Sequence, residues 1–262
     1  MSKTLEMQVN IPASAEQLWD ALTRPERLAD WFPPICRGEA KPDGKVLFSW
    51  GSDCEWETHI SAWEPNRHLR WTDQPDSGVD LPGVDFFIET TGEGTTLRLV
   101  QSGFTGDSWE DYYEGTRRGW TYFFHLLQLY LRKHYPQPRT AIWRRGPGQK
   151  PRAEAWKQLT EALGLTAEPA PGVVMPINLD DVTVGDVAIC EAPYVLGIDL
   201  PELNHGSLLV EFEPGDGIVS CGIYLSVYGL APDRTANLET WIERFSRNNL
   251  ETIKGGSHLT KS

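Results

Sequence analysis

The side chains that could do chemistry in this 262-residue sequence are six His, four Cys and an unusual eleven Trp. Neither a Ser nor a Cys stands in a nucleophile elbow. Gly115, Gly119, Gly215 and Gly217 make no phosphate loop, because neither G-x-x-x-x-G-K nor G-x-G-x-x-G after a strand occurs. Cys36, Cys54, Cys190 and Cys221 are widely separated, with no C-x-x-C and no His at metal-ligand spacing. They fit free or buried thiols in a reducing compartment, and the sequence calls for no metal and no cofactor. His59 falls within a strand and His125 beside Phe124 on a helix; a lone strand His is more often a core or edge residue than a catalyst. Asp107, Glu110, Asp111 and Glu114 gather at a helix start, where negative charge is favourable.

The aromatic residues carry more. Trp50, Trp56, Trp71, Phe86, Trp120 and Phe124 are the candidate wall of a ligand pocket, with Arg98 or His59 as a polar group fixing the ligand's orientation. An excess of Trp serves equally as ordinary core, since the indole buries a large area. Strand parity decides which residues face inward, and the sequence leaves open whether that set is Trp56 and Ile60 or His59 and Trp63.

Those residues have to be positioned by regular elements. Thr4 to Asn10 alternates as a half-buried strand. Ser14 with Gln17 makes a capping box for a short helix bearing Leu18, Trp19 and Leu22. Thr23, Pro25 and Glu26 open a second helix that Pro33-Pro34 ends. Five strands are expected at 45–51, 55–63, 68–72, 84–90 and 95–103, separated by Pro-, Asp- and Gly-bearing turns short enough to imply antiparallel neighbours. Residues 107–133 repeat apolar side chains at three- and four-residue steps and predict one helix of about 40 Å.

This order, with the strings Ile11 to Thr23, Asp30-Trp31-Phe32, Trp63 to Trp71, Gly94 to Leu99 running into Gln101-Ser102-Gly103-Phe104, and Gly119-Trp120, resembles the helix-grip fold of the START/SRPBCC superfamily. The branch it is most similar to is the activator of heat-shock-protein-90 ATPase homologue-like family. The resemblance implies an α+β fold, an antiparallel sheet wrapped round a long C-terminal helix, with a pocket for apolar molecules between them. The family's eukaryotic co-chaperones carry a further chaperone-binding domain ahead of this one. Here the helix-grip unit starts at the first residues, so a co-chaperone role is not expected to follow directly.

The expected domains are a helix-grip unit at 1–135, a Pro/Arg-rich linker at 136–152, a second α+β domain at 153–255 and a disordered tail at 256–262. The linker gathers Arg132, Lys133, Arg139, Arg144, Arg145, Lys150 and Arg152, a solvated segment or a contact for phosphate or an acidic surface. In the second domain a helix at 153–163 precedes strands at 182–191, 194–200, 207–213 and 218–228 and a helix at 236–254. This is either a reduced second helix-grip copy or an unrelated small α+β cap.

A net charge of −13 argues against nucleic-acid binding. With no signal peptide and no span long enough for a bilayer, a cytoplasmic protein is expected. Three functions remain. The first is a non-catalytic binder of an apolar or aromatic small molecule, which a closed, Trp-packed interior would exclude. The second is a cyclase, dehydratase or hydrolase, requiring a buried polar pair in the same cavity. The third is a chaperone-associated interaction module working through its surface.

Overall fold

The structure, a computed structural model, describes residues 3–51, 54–72, 83–91, 94–106, 109–165, 167–213, 217–250 and 254–259. The chain divides into two compact units that meet in sequence between Pro138 and Arg139.

In the first unit β1 (Lys3–Ile11) leads into α1 (Ala15–Thr23) and α2 (Pro25–Leu28). The capping box forms as its residue types require: Ser14 Oγ accepts the Gln17 amide at 3.2 Å, and Gln17 Oε1 accepts the Ser14 amide at 3.1 Å. Thr23 does not cap α2; its hydroxyl donates back to the Trp19 carbonyl, and Arg24 occupies the cap position with Pro25 following it. Then come β2 (Ile35–Gly38), β3 (Lys45–Ser49), β4 (Glu55–Glu64), β5 (His68–Thr72), β6 (Gly83–Thr91), β7 (Gly94–Phe104) and α3 (Trp109–Lys133). The sheet is antiparallel with the order β1-β7-β6-β5-β4-β3-β2. First and last strands are neighbours, and the 25-residue α3 packs on one face, as the helix-grip reading expects. The expectation missed β2, a four-residue strand hidden between Pro33-Pro34 and a turn.

A bulge settles the parity of β4. Ile60 pairs with Trp71 and Ala62 with Arg70, so the register slips by one residue between them. Trp56, Thr58 and Ile60 face the helix side, and beyond the bulge Trp63, paired with the buried Leu69, faces it too. His59 faces away, beside Lys45 and Glu57.

The second unit corrects the linker. Residues 139–151 form β8 (Arg139–Pro151), a 13-residue strand inside the second sheet. It is followed by α4 (Arg152–Ala162), β9 (Val174–Asn178), β10 (Val182–Glu191), β11 (Val195–Leu200), β12 (Gly206–Phe212), β13 (Ile218–Tyr228), α5 (Pro232–Asn249) and β14 (Lys254–Leu259). Pro147 and Pro151 are tolerated because β14 pairs β8 only from Thr140 to Arg145. Beyond that stretch the described residues give that side of β8 only the single bridge of Gly148 to Leu250, and no ladder that either Pro interrupts. The residues expected as a disordered tail from 256 include the ladder partners of β8, from Gly256 against Trp143 to Leu259 against Thr140; 260–262 lie outside the described residues. The last helix ends at Asn249 rather than 254.

The strand order β14-β8-β13-β12-β11-β10-β9 repeats the plan of the first sheet. The unit's first strand again neighbours the strand before its last long helix, and the remaining strands descend in sequence order. One helix replaces two after the first strand, one strand is missing, and β14 is added outside. The copy is therefore a reduced helix-grip unit, beginning at 139 and not at 153. Its core joins Leu159, Ile177, Ile198, Val210, Ile223, Leu238 and Trp241. The basic cluster is largely occupied within the unit: Arg144 pairs with Glu243 at 3.2 Å, Arg145 with Glu213 at 3.0 Å and Lys150 with Glu154 at 2.7 Å.

Candidate functional site

The inner face of the first sheet gathers one continuous aromatic cluster. Trp50 and Trp56 stack at 5.1 Å with an interplanar angle of 15°. Trp71 meets Phe86 edge-on at 4.5 Å, Phe86 meets Trp120 at 5.7 Å, and Trp120 meets Phe124 at 5.8 Å. Six of the eight residues expected at the site thus share one face and one cluster. Five of them are buried, whereas Trp56 is 41% exposed and forms a rim.

The other two lie elsewhere. Arg98 sits on the opposite face, its guanidinium 4.3 Å from the Phe87 ring centroid and 3.3 Å from Glu6. His59 shares that face, with Nε2 3.9 Å from Glu57. The alternation of β4 and β7 turns both away from the aromatic interior, so neither is placed to touch a molecule held there.

The centre of the cluster is a residue that the sequence reading quoted in a motif but did not place at the site. Phe32 follows α2 and is 6% exposed. Its ring stacks on Trp120 at 5.3 Å and 11°, and on Trp71 at 5.9 Å and 22°. Phe48, Trp50 and Phe123 meet it edge-on at 5.3, 5.3 and 4.7 Å. A flat ring against two indoles with edges at its periphery is a favourable aromatic arrangement. The described interior is accordingly filled by the protein's own side chain.

A polar latch holds Phe32 there. Asp30 is fully buried and accepts from Tyr130 Oη at 2.9 Å and from Arg27 Nη1 at 3.3 Å. Arg27 Nη1 also donates to the Pro136 carbonyl at 2.6 Å. Trp31 Nε1 donates to the Ala21 carbonyl at 2.9 Å. Tyr135 Oη donates to Asp20 at 2.9 Å, and partial burial followed by the Asp20 carboxylate pushes its phenol above the ordinary value. The residues flanking Phe32 are thereby tied to the end of α3. This buried Arg-Asp pair is engaged in structural hydrogen bonds.

Gln101 and the Trp71 indole N–H are among the polar groups of the inner face; the sequence named Trp71 only as an apolar wall and did not single out Gln101. Ile60, Trp71, Val84, Gln101 and Leu5 form one cross-strand row. Within it Gln101 Oε1 accepts from Trp120 Nε1 at 2.6 Å. Trp71 is 4% exposed, and its indole N–H has no hydrogen-bond partner among the described residues. The signal for Gln101 was its place in the string after Leu99, read there as family pattern and not as a side chain two residues in phase with Leu99 and Leu97.

Among the described residues no set of three His, Cys, Asp or Glu is placed to hold a metal ion. None of the four cysteines is in a disulfide, and burial pushes the Cys36 and Cys221 thiols upward. No helix among the described residues is long and apolar enough to cross a membrane. In the second unit a cavity of about 10 Å³ lies under Leu159, Phe212 and Cys221, room for about one water molecule.

The family model described as "Activator of Hsp90 ATPase homolog 1-like protein" matches residues 12–132. Among solved structures, protein MLL2253 from Mesorhizobium loti is 30% identical, covering 50% of this chain and 98% of its own, with a TM-score of 0.43. The Aha1 dimer from Colwellia psychrerythraea is 19% identical over 49% of this chain and 96% of its own, with a TM-score of 0.44. CalU16 from Micromonospora echinospora is 21% identical over 50% and 75%, with a TM-score of 0.41. No curated protein matches. Through its first unit, the chain belongs to the activator of Hsp90 ATPase homolog 1-like family.

Proposed function

We propose that the first unit binds an apolar, flat-ringed small molecule between the inner face of its sheet and α3, without catalysing a reaction on it. The observation that carries this reading is the Phe32 slot. A phenyl ring lies against Trp71 and Trp120 and is ringed by Phe48, Trp50 and Phe123. The side chain in it comes from a short irregular segment between α2 and β2, outside the sheet and the long helix. Swinging that one side chain outward would leave a slot of aromatic shape, opening toward the exposed rim at Trp56. Binding is then an exchange of one ring for another, so the closed interior sets a cost on affinity instead of forbidding it.

Trp50, Trp56, Trp71, Phe86, Trp120 and Phe124 are the walls in this reading, and His59 and Arg98 have no role in it. The test is a titration of the full chain with fluorene, followed by quenching of intrinsic Trp fluorescence, beside the Trp120→Ala variant. Saturable quenching that the variant loses supports the slot. Strictly linear quenching in both proteins counts against it.

A second reading is favoured by the same closure: an interaction module, acting on a chaperone as the family's name describes, needs no cavity. It predicts stimulation of an Hsp90-type ATPase that Trp120→Ala leaves intact wherever the variant is folded. No stimulation by the wild-type chain would set this reading aside.

A further inference from the structure

We propose that Trp109 and Tyr113, at the start of α3, form an open aromatic corner that binds a trimethylammonium group of the choline class in exchange for the chain's own Lys3. The corner shares no residue with the Phe32 slot, and the inference does not depend on that slot.

The corner already holds an ammonium. Lys3 Nζ stands 4.5 Å from the Trp109 ring centroid and 4.7 Å from that of Tyr113. The two residues are one helical turn apart, so both rings leave the same side of α3. Their centroids are 6.2 Å apart and their planes meet at 76°. The three distances make a near-right angle at the nitrogen, as a cation on the axis of both rings requires. There the negative π-faces attract it. Phe104, 1% exposed, backs the corner, with its ring 5.1 Å from Tyr113 and 5.2 Å from Tyr112. Among the described residues the Lys3 ammonium rests on these two rings and on no carboxylate.

A methylated cation suits this corner better than Lys3 does. A lysine ammonium is compact and strongly hydrated, and it gives up water to lie on a ring. At the observed distances its hydrogens fall short of close contact with the rings. A methyl on the nitrogen instead reaches the about 3.5–4.0 Å of optimal carbon packing. Lys3 is exposed, so its side chain moves into solvent at little cost. The charge around the corner favours a cation as well. Glu110 and Asp111 in the first turn of α3 offset the positive end of the helix, and a net charge of −13 draws cations to the protein.

The probes are choline and 3,3-dimethylbutan-1-ol, which has carbon in place of the nitrogen and so the same shape without the charge. Each is titrated with the wild-type full chain, with Lys3→Ala and with Trp109→Leu, and the probe's methyl proton resonance is followed. Methyls held over two ring faces move upfield. Lys3→Ala is expected to bind choline about five- to thirtyfold more tightly than wild type, since it removes a competitor held by two exposed cation–π contacts. The neutral analogue should bind Lys3→Ala about fivefold or more weakly than choline, and Trp109→Leu should lose the choline shift. Should Trp109→Leu not fold, the gain in Lys3→Ala and its preference for choline decide the question alone. Cosedimentation of Lys3→Ala with phosphatidylcholine vesicles, competed away by choline, assigns a lipid headgroup as the source of the cation; binding of free choline alone assigns a soluble ligand. Equal affinity for choline and its neutral analogue, no gain in Lys3→Ala, or a shift that survives in folded Trp109→Leu overturns the inference.

Discussion

Replacing Phe32 with Ala tests the aromatic slot by emptying it. The ring is 6% exposed and touches five aromatic neighbours on β3, β5, α3 and the residues around Trp50, besides the adjacent Trp31. Losing the transfer free energy of a buried phenyl accounts for about 2–3 kcal/mol. The remaining cost depends on whether the walls collapse. Trp71 is held in the centre of the sheet, and Trp120 is held by its 2.6 Å bond to Gln101, so neither wall is free to move in. A retained void adds about 1–2 kcal/mol, and the expected loss is about 3–5 kcal/mol. A void of that shape accepts a ring from solution. Toluene at a hundred times its dissociation constant should restore about 2.7 kcal/mol. The assay is urea unfolding of the full chain followed by Trp fluorescence, with and without toluene. A loss below about 1 kcal/mol, or a large loss that toluene leaves unchanged, would refute the reasoning that the slot is preformed by its walls.

The latch and the second unit give further tests. Tyr130→Phe removes one of the hydroxyl and guanidinium donors to the buried Asp30 carboxylate and should cost about 1–3 kcal/mol, read as a lowered urea midpoint. A change within a few tenths of a kcal/mol would mean that the latch does not hold α2 and the Phe32 segment to α3. In the second unit, burial pushes the Glu211 carboxyl above its ordinary value, against the Tyr224 hydrogen bond and the Arg145 charge. Tyr224 lies across Gly222, where an added Cβ would come within 2.5 Å of its ring. Glu211 therefore holds its proton more tightly folded than unfolded. The stability it contributes is full below the ordinary carboxylate value and is lost as pH rises through the raised folded value, about 1.4 kcal/mol for each unit of elevation. Glu211→Gln should accordingly be more stable than wild type at pH 8 and gain nothing at pH 4; equal gains at both would contradict the assignment.

Much of the first unit was legible because its signals are local. The capping box of Ser14 and Gln17 is a four-residue pattern, and α3 repeats its apolar side chains over seven turns. What failed depends on contacts far away in sequence. The Pro and Gly residues of 146–151 read as linker, and only the position of β14 shows why a strand can carry them. Pro176 disguised β9, an edge strand where a missing amide is harmless. The phase of β4 turns on a bulge between Ile60 and Ala62 that no residue type announces. The aromatic cluster was readable from residue types, since Trp and Phe on inner strand positions pack together whether they form ordinary core or line a pocket. The polar groups were not. His59 and Arg98 attracted notice as ionisable side chains, yet alternation puts them on the other face. The groups that do face inward, an indole N–H and a carboxamide, carry no charge and so no signal in composition.

The central claim is that the first unit exchanges Phe32 for a ring from outside, and native mass spectrometry of the freshly purified full chain tests it most directly. The account predicts a population heavier than the bare chain by one small molecule, released on mild activation, or one stoichiometric adduct after incubation with fluorenone. A spectrum showing only the bare chain before and after incubation, under conditions that preserve the fold, would contradict it.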